Sequence, residues 1–374
     1  MDYIDLEKNT LVVTNEPLAG YTLFNISRLF VQNVFLFGFR YLPRVFYSLL
    51  MSTVMAPFRL RERLVFDRAV EKTEIKNDPI FILGHWRSGT TYLHNLLSND
   101  KNLGFFTTFH AYLPSVFLSS DKIFRPILVS SLPEKRPMDD VAMGADLPQE
   151  DEYSLGAVLP YAYYNGWCLP RNMRFYNGFV CMQDVPYEVL REWKEDYLYM
   201  IKKVTLYWKG KQLILKNPAN TARVKLLLEM FPDAKFIHIY RNPYHVYLSM
   251  MRFMRIITPL YCLQVPPELG KVEKMMMDLY AEMHKKYLVE RDFVPDGNLF
   301  ELKYEDFVKQ PLREVKSMYR ELGLKGFKKS EQSFIEFIES QVNVRTREYV
   351  VDEELREKIN KRWSFAIKAF GYES

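Results

Sequence analysis

Cysteine is scarce in this chain: Cys168, Cys181 and Cys262 are the only three in 374 residues, far apart and with no C-x-x-C pair. An odd count at such spacing excludes a disulfide framework and gives no zinc-site pattern, so no metal is expected and a reducing compartment suits the chain. The opening MDYIDLEKN has no basic segment leading into an apolar one. A secretory signal is therefore not read there, and a cytoplasmic location is expected. Long apolar runs are missing too. The most apolar stretch, 27–55, is interrupted by Arg28, Arg40, Pro43 and Arg44, so neither half reaches the ~20 residues that cross a bilayer. Two amphipathic helices are expected instead, packed over a sheet or a pocket, with peripheral contact to a membrane surface as the other use of such faces. Basic tracts with interleaved aromatics are absent. The net charge of +5 suits an anionic ligand and is too small to imply nucleic acid. Repeats, low-complexity tracts and evident linkers are lacking as well. The expected organisation is one domain over 1–374, with 1–75 as a largely helical extension packed on it.

What is present centres on residues 79–99, PIFILGHWRSGTTYLHNLLSN. Ile80, Phe81, Ile82 and Leu83 form a short unbroken apolar run closed by Gly84, the pattern of a strand buried on both faces. Leu93, Leu96 and Leu97 then recur at helical spacing. The intervening GHWRSG is a strand-to-helix loop, and such loops gather backbone amides that bind anions; a Gly-containing turn with hydroxyls capping a helix is the plainer alternative. Gly84 and Gly89 stand five apart, as in the phosphate loop of nucleoside triphosphatases, but Thr90 occupies the place of that loop's lysine. Without the lysine the loop suits a kinase or ATPase poorly, although it can still cradle a phosphate-like group. Arg87 supplies a positive charge from within the loop.

Arg87-Ser88-Gly89-Thr90-Thr91 after a buried strand resembles the 5'-phosphosulfate loop of the sulfotransferases that use 3'-phosphoadenosine 5'-phosphosulfate (PAPS). The resemblance implies that Trp86, Arg87, Ser88, Gly89, Thr90 and Thr91 hold the 5' side of the donor. Further along, the strand KFIHIY leads into Arg241-Asn242-Pro243, with Ser249 eight residues after Arg241. This is similar to the family's R-x-P…S element, which implies that Arg241 and Ser249 bind the 3'-phosphate. Pro243 suits a helix start. His245 stands where relatives often carry aspartate, and no chemistry is built on it.

Between these motifs lie the candidates for catalysis. Gln212 to Lys216 reads as a buried strand, which places Lys216 at the carboxyl edge where doubly wound sheets bind ligands. It matches the lysine of a Lys-Thr-His element in more distant cytosolic sulfotransferases, while Pro218 replaces their histidine. His110 lies 23 residues beyond Arg87, on a stretch expected to pass back over the loop, in the slot where the family carries Trp-Glu. By that resemblance His110 is the expected general base, and an imidazole with an ordinary pKa near ~6.5 suits the role; a hydrogen-bonded bystander is the alternative for a lone histidine. Glu150-Asp151-Glu152 after Pro148 resembles the family's P-x-E-D-E element and is the competing source of a base, or else a first-turn acidic cluster on the next helix. Tyr161, Tyr163, Tyr164, Trp167, Phe175, Tyr176 and Phe179 crowd one region, as acceptor pocket or as core. Asn298 to Phe307, NLFELKYEDF, is similar to the strand and Y-E-D turn near the end of sulfotransferase sheets.

The resemblance covers roughly 80–311. It implies an α/β fold, a P-loop-like, mainly parallel sheet with helices on both faces, and the strands and helices alternating there point independently to the α/β class. The implied reaction moves a sulfuryl group from PAPS to a hydroxyl, with Arg87 and Lys216 serving the reacting group, His110 taking the proton and no metal required. A lipophilic alcohol, with a sterol or steroid first, is the expected acceptor, because adaptable methionines (Met250, Met251, Met254), aromatic walls and the apolar span 29–55 suit a rigid apolar ligand. Resemblance to sterol sulfotransferases of gut bacteria supports that choice. A carbohydrate or phenol acceptor, a P-loop kinase or NTPase, and a non-catalytic nucleotide- or lipid-binding protein are the rival readings.

Overall fold

The structure is a computed structural model that describes residues 16–33, 38–139, 141–341 and 349–373. The chain divides into two compact units. Met1–Ile75, Phe106–Gly210 and Phe253–Val272 form the first, while Lys76–Phe105, Lys211–Arg252 and Glu273–Ser374 form the second.

The second unit holds the sheet. Its strands are β1 (Ile80–Leu83), β2 (Leu103–Gly104), β3 (Gln212–Lys216), β4 (Lys235–Tyr240) and β5 (Leu299–Lys303), in the order β2-β3-β1-β4-β5. Every pairing is parallel, with Phe81 opposite Leu215 on one side and Phe236 on the other. All four residues of β1 are buried, as expected of a central strand covered on both faces. The order reverses at β1, since β3 and β4 flank it and leave in opposite directions. A crevice opens at the carboxyl ends of strands where that happens, and the loop after β1 lies there. This is the α/β class expected from the alternating pattern, with the P-loop-like, mainly parallel sheet that the resemblance implied.

The first unit is helical. Its core gathers Leu18, Tyr21, Ile26, Leu29, Tyr41 and Val45 with Cys168, Tyr176, Phe179 and Cys262. The N-terminal helices are Leu23–Asn33 and Leu42–Glu71. The second runs on well past the expected end of the apolar stretch and carries Pro57 inside it. Proline removes the amide that would bond the carbonyl four residues back, at Thr53. Both residues face solvent, where water can satisfy that carbonyl, so the helix continues. Arg59 secures it from the buried side by donating to the carbonyls of Ser52 (2.8 Å) and Tyr21 (2.6 Å). All three cysteines are buried, and none of them forms a disulfide. No helix among the described residues is long and apolar enough to cross a membrane.

Candidate active site

The loop after β1 has a backbone that few sequences can adopt. Gly84 has φ +141°, and a Cβ there would fall 2.3 Å from the Ile239 carbonyl oxygen, so only glycine fits. Its amide donates to Thr221 Oγ1 at 2.7 Å. The Ser88 amide closes a turn onto the His85 carbonyl at 3.1 Å. Gly89, with φ +99°, is the N-cap of the helix Thr90–Leu97 and makes no side-chain cap. That leaves the first amides of this helix without a cap from their own N-terminus, the arrangement that receives an anion. Arg87 takes φ +73°, a left-handed conformation that costs on the order of 1–3 kcal/mol for a residue with a side chain. Strain is therefore stored at the charged position of the loop.

Tertiary bonds hold Arg87 in that conformation, and they come from the second motif. Arg87 Nε donates to Ser249 Oγ at 3.0 Å. Arg241 Nη1 donates to the Arg87 carbonyl at 3.3 Å. Lys216, buried at the end of β3, reaches Thr91 Oγ1 at 3.4 Å. The fold thus joins residues that lie about 150 positions apart in the sequence, and places three cationic side chains around one helix start.

Two supports of this site carry no signature that the sequence reading used. Thr221 is one: nothing local marks it as the acceptor for Gly84. Tyr304 is the other. The Y-E-D element was visible, but not that a Cβ on Gly89 would strike the Tyr304 ring at 2.4 Å, or that the Arg241 guanidinium lies 4.4 Å from the centre of that ring. The next residue, Glu305, accepts from the Asn242 amide (3.1 Å) and the Tyr372 hydroxyl (2.6 Å), which anchors the turn bearing Arg241. His245 is lowered from the ordinary imidazole range by burial and then by the charge of Arg241. Trp86 is buried, its carbonyl 2.8 Å from His85 Nδ1.

His110 lies in the first unit and is fully buried. It forms a capping box at the start of the helix Thr108–Tyr112: its amide donates to Thr107 Oγ1 at 3.2 Å, and its Nδ1 accepts from the Thr107 amide at 3.3 Å. With Nδ1 accepting, the proton of the neutral ring belongs on Nε2, which makes that nitrogen a donor. Phe117 and Tyr207 pack on the ring, their centroids 4.4 and 4.3 Å away.

The carboxylates of 150–152 open the helix Asp151–Val158, where negative charge favours the helix start. Each has a partner: Asp151 accepts from the Tyr197 hydroxyl (2.6 Å), Glu152 from the Tyr163 amide (2.8 Å) and Glu150 from the Tyr164 hydroxyl. Tyr164 lines a narrow cleft with Tyr21, Tyr112, Tyr153, Tyr261 and Cys168. Burial raises the Tyr112, Tyr153 and Tyr261 hydroxyls well above the ordinary phenol range. Of the aromatic cluster seen in the sequence, Tyr164 faces this cleft, while Tyr176 and Phe179 belong to the core.

The model of the sulfotransferase family matches residues 79–329 of the chain, the stretch that holds every strand and both motifs. The chain belongs to the sulfotransferase family. It is similar to the omega-hydroxy-beta-dihydromenaquinone-9 sulfotransferase Stf3 of Mycobacterium bovis and of Mycobacterium tuberculosis, at 31% identity over 326 residues, 86% of this chain and 82% of the relative. Among solved structures, sulfotransferase STF9 from Mycobacterium avium superimposes with a TM-score of 0.64 at 17% identity, covering 84% of this chain and 82% of that one. STF1 from Mycobacterium tuberculosis H37Rv does so with 0.64 at 16% identity, covering 91% and 90%. At such identity these two show the shared fold alone. This sulfotransferase therefore presents, in its second unit, a glycine-framed loop at a helix start that is stitched to a second cationic motif.

Proposed function

We propose that this sulfotransferase moves the sulfuryl group of PAPS to the hydroxyl of a lipophilic alcohol, a sterol or steroid first. The observation that carries the donor is the convergence of Arg87, Lys216, Arg241 and Ser249 on the loop 84–91. Two anionic ends of one nucleotide call for two cationic clusters at fixed separation. In this reading Arg241 and Ser249 take the 3'-phosphate, while Arg87, Lys216 and the amides and hydroxyls of 88–91 take the 5'-phosphosulfate, with Trp86 closing the loop.

The acceptor oxygen attacks sulfur as the bond from sulfur to the phosphate oxygen breaks. Negative charge then collects on that bridging oxygen, and 3'-phosphoadenosine 5'-phosphate leaves. Positioned cations and amides stabilise such charge without reorganising, as in phosphoryl transfer. The acceptor proton passes to a base in the same step. Glu150 is the base we put first, because its side chain accepts from the Tyr164 hydroxyl at the wall of the cleft. His110 comes second, since its Nδ1 is engaged as an acceptor.

The acceptor class is supported by the tyrosine rings around this cleft, which as it stands has room for about one water molecule and must widen to admit an alcohol of sterol size. The Stf3 relatives are named for a hydroxylated dihydromenaquinone, which is also lipophilic. Transfer of labelled sulfate from PAPS to a sterol, a polyprenyl quinone alcohol, a phenol and an oligosaccharide at one donor concentration tests the reading. The two lipophilic alcohols are expected to lead. A lead for the oligosaccharide would overturn the acceptor class, and no transfer to any alcohol despite tight nucleotide binding would overturn the donor reading.

A further inference from the structure

The helix Leu42–Glu71 is turned inside out for a protein surrounded by water. Phe46, Leu50, Val54, Leu60 and Leu64 follow one another along its outer face, with Phe46 65%, Leu50 60% and Leu64 79% exposed. Its buried face is rich in polar groups: Ser48, Ser52, Arg59 and Glu62. Most of their polar atoms find partners inside, Ser52 at the Tyr21 carbonyl (2.8 Å), Arg59 through Nη1 and Nη2 at backbone oxygens, and Glu62 with Lys203 and the Ser119 amide. Internal bonds therefore dictate the rotation of the helix, and the apolar stripe is left outside as a consequence. Beside it the helix Asp121–Ser131 packs edge-on through Phe124 against Phe58 (5.0 Å) and exposes Ile123 and Ile127.

Charge decides what such a face meets. The exposed charged side chains from 39 to the end of the helix are Arg40, Arg61, Arg63 and Arg68, against one exposed carboxylate, Glu71, at its last residue. Arg61 and Arg68 flank Leu64 at one helical turn on either side. A second copy docking the same face would bring these like charges together. An anionic lipid surface accepts both components, the apolar stripe at its acyl boundary and the arginines at its headgroups.

We propose that this face seats the sulfotransferase on an anionic phospholipid bilayer, lying in the interface without crossing it. The inference does not depend on which acceptor the enzyme uses. It is tested by co-flotation of the full chain with vesicles of equal parts phosphatidylcholine and phosphatidylglycerol, against vesicles of phosphatidylcholine alone. The wild type is expected to float with the anionic vesicles, roughly tenfold more than with the neutral ones, and to be released by salt. Phe46→Ser/Leu50→Ser/Leu64→Ser and, separately, Arg61→Glu/Arg68→Glu should each lose roughly tenfold of that binding, with affinity for 3'-phosphoadenosine 5'-phosphate unchanged as the measure of folding. If the apolar variant does not fold, the charge variant decides alone. A wild type that stays unbound overturns the proposal, as do variants that float like the wild type. A wild-type dimer that the variants abolish, without flotation, would assign the face to a second copy instead.

Discussion

The guanidinium of Arg241 lies 4.4 Å from the centre of the Tyr304 ring, and the same ring fills the space beside Gly89. One aromatic side chain thus touches the helix start of the first motif and the arginine of the second. A cation over an aromatic face contributes on the order of 0.5–2 kcal/mol, more when desolvated. Tyr304→Leu should therefore weaken binding of 3'-phosphoadenosine 5'-phosphate by roughly 2- to 30-fold in calorimetry, and Tyr304→Phe, which keeps the ring, should stay near wild type. Equal losses in both variants would show that the hydroxyl matters and the ring does not.

Arg241→Ala removes the charge assigned to the 3'-phosphate. A charge-assisted hydrogen bond of this kind is worth about 1.5–3 kcal/mol, so the dissociation constant of 3'-phosphoadenosine 5'-phosphate should rise roughly ten- to a hundredfold. Adenosine 5'-phosphate, which lacks the 3' group, should bind the variant as it binds the wild type. An unchanged constant for the bisphosphate in a folded variant would reassign Arg241.

Gly84→Ala should be among the most damaging small substitutions in the chain. Its Cβ would sit 2.3 Å from a backbone oxygen of β4, at a φ of +141°, and neither the clash nor the backbone can relax without moving the central strands. Loss of several kcal/mol is expected from strain of this kind, seen as a lower Tm together with weaker nucleotide binding. Gly178→Ala is the control, since a Cβ there meets nothing within 4 Å.

The choice of base separates kinetically. Removing a positioned base costs roughly 10²- to 10⁴-fold in rate while donor affinity holds. Glu150→Gln is expected to show that loss. His110→Ala should act mainly on stability, through its capping box and its packing on Phe117 and Tyr207. The reverse pattern, normal turnover in Glu150→Gln and a dead but folded His110→Ala, would return the role to the imidazole.

Acid should loosen the second unit. His85 is lowered to about 4 by burial, despite its bond to the Trp86 carbonyl, and His284, 5.9 Å from it, is lowered well below the usual range by burial and by His85. Both rings are thus held neutral in the folded state, whereas in the unfolded chain they protonate near pH ~6.5. The stability they contribute is complete above that pH and is lost as pH falls toward 4. For His85 alone the loss amounts to about 3 kcal/mol over that window. Urea unfolding at pH 7, 6 and 5 should show a falling midpoint, and His85→Asn should flatten the slope.

Much of the loop 84–91 and its flanking elements was legible in the sequence because its signals are local. A four-residue apolar run, a glycine where no side chain fits and a change of period from strand to helix are dictated by neighbours in the chain, and β1, the loop and the helix Thr90–Leu97 follow from them. The spacing of Arg241 and Ser249 is likewise a property of one helix. Tertiary structure decided the rest. That Arg87 bonds Ser249, that Thr221 receives the Gly84 amide and that Tyr304 underlies Arg241 depend on which strands lie side by side, and no periodicity encodes that order. The engagement of His110 Nδ1 by its own capping box also emerged only from the fold, since a histidine in a sequence does not reveal which nitrogen carries its proton. The helix Leu42–Glu71 shows the same limit most plainly. Its sequence says that it has two faces, but partners distant in the chain, among them Tyr21, Ser119 and Lys203, determine which face turns inward. Hydrogen bonds and ion pairs formed across the fold outweighed hydrophobic patterning there, and left the apolar face in solvent.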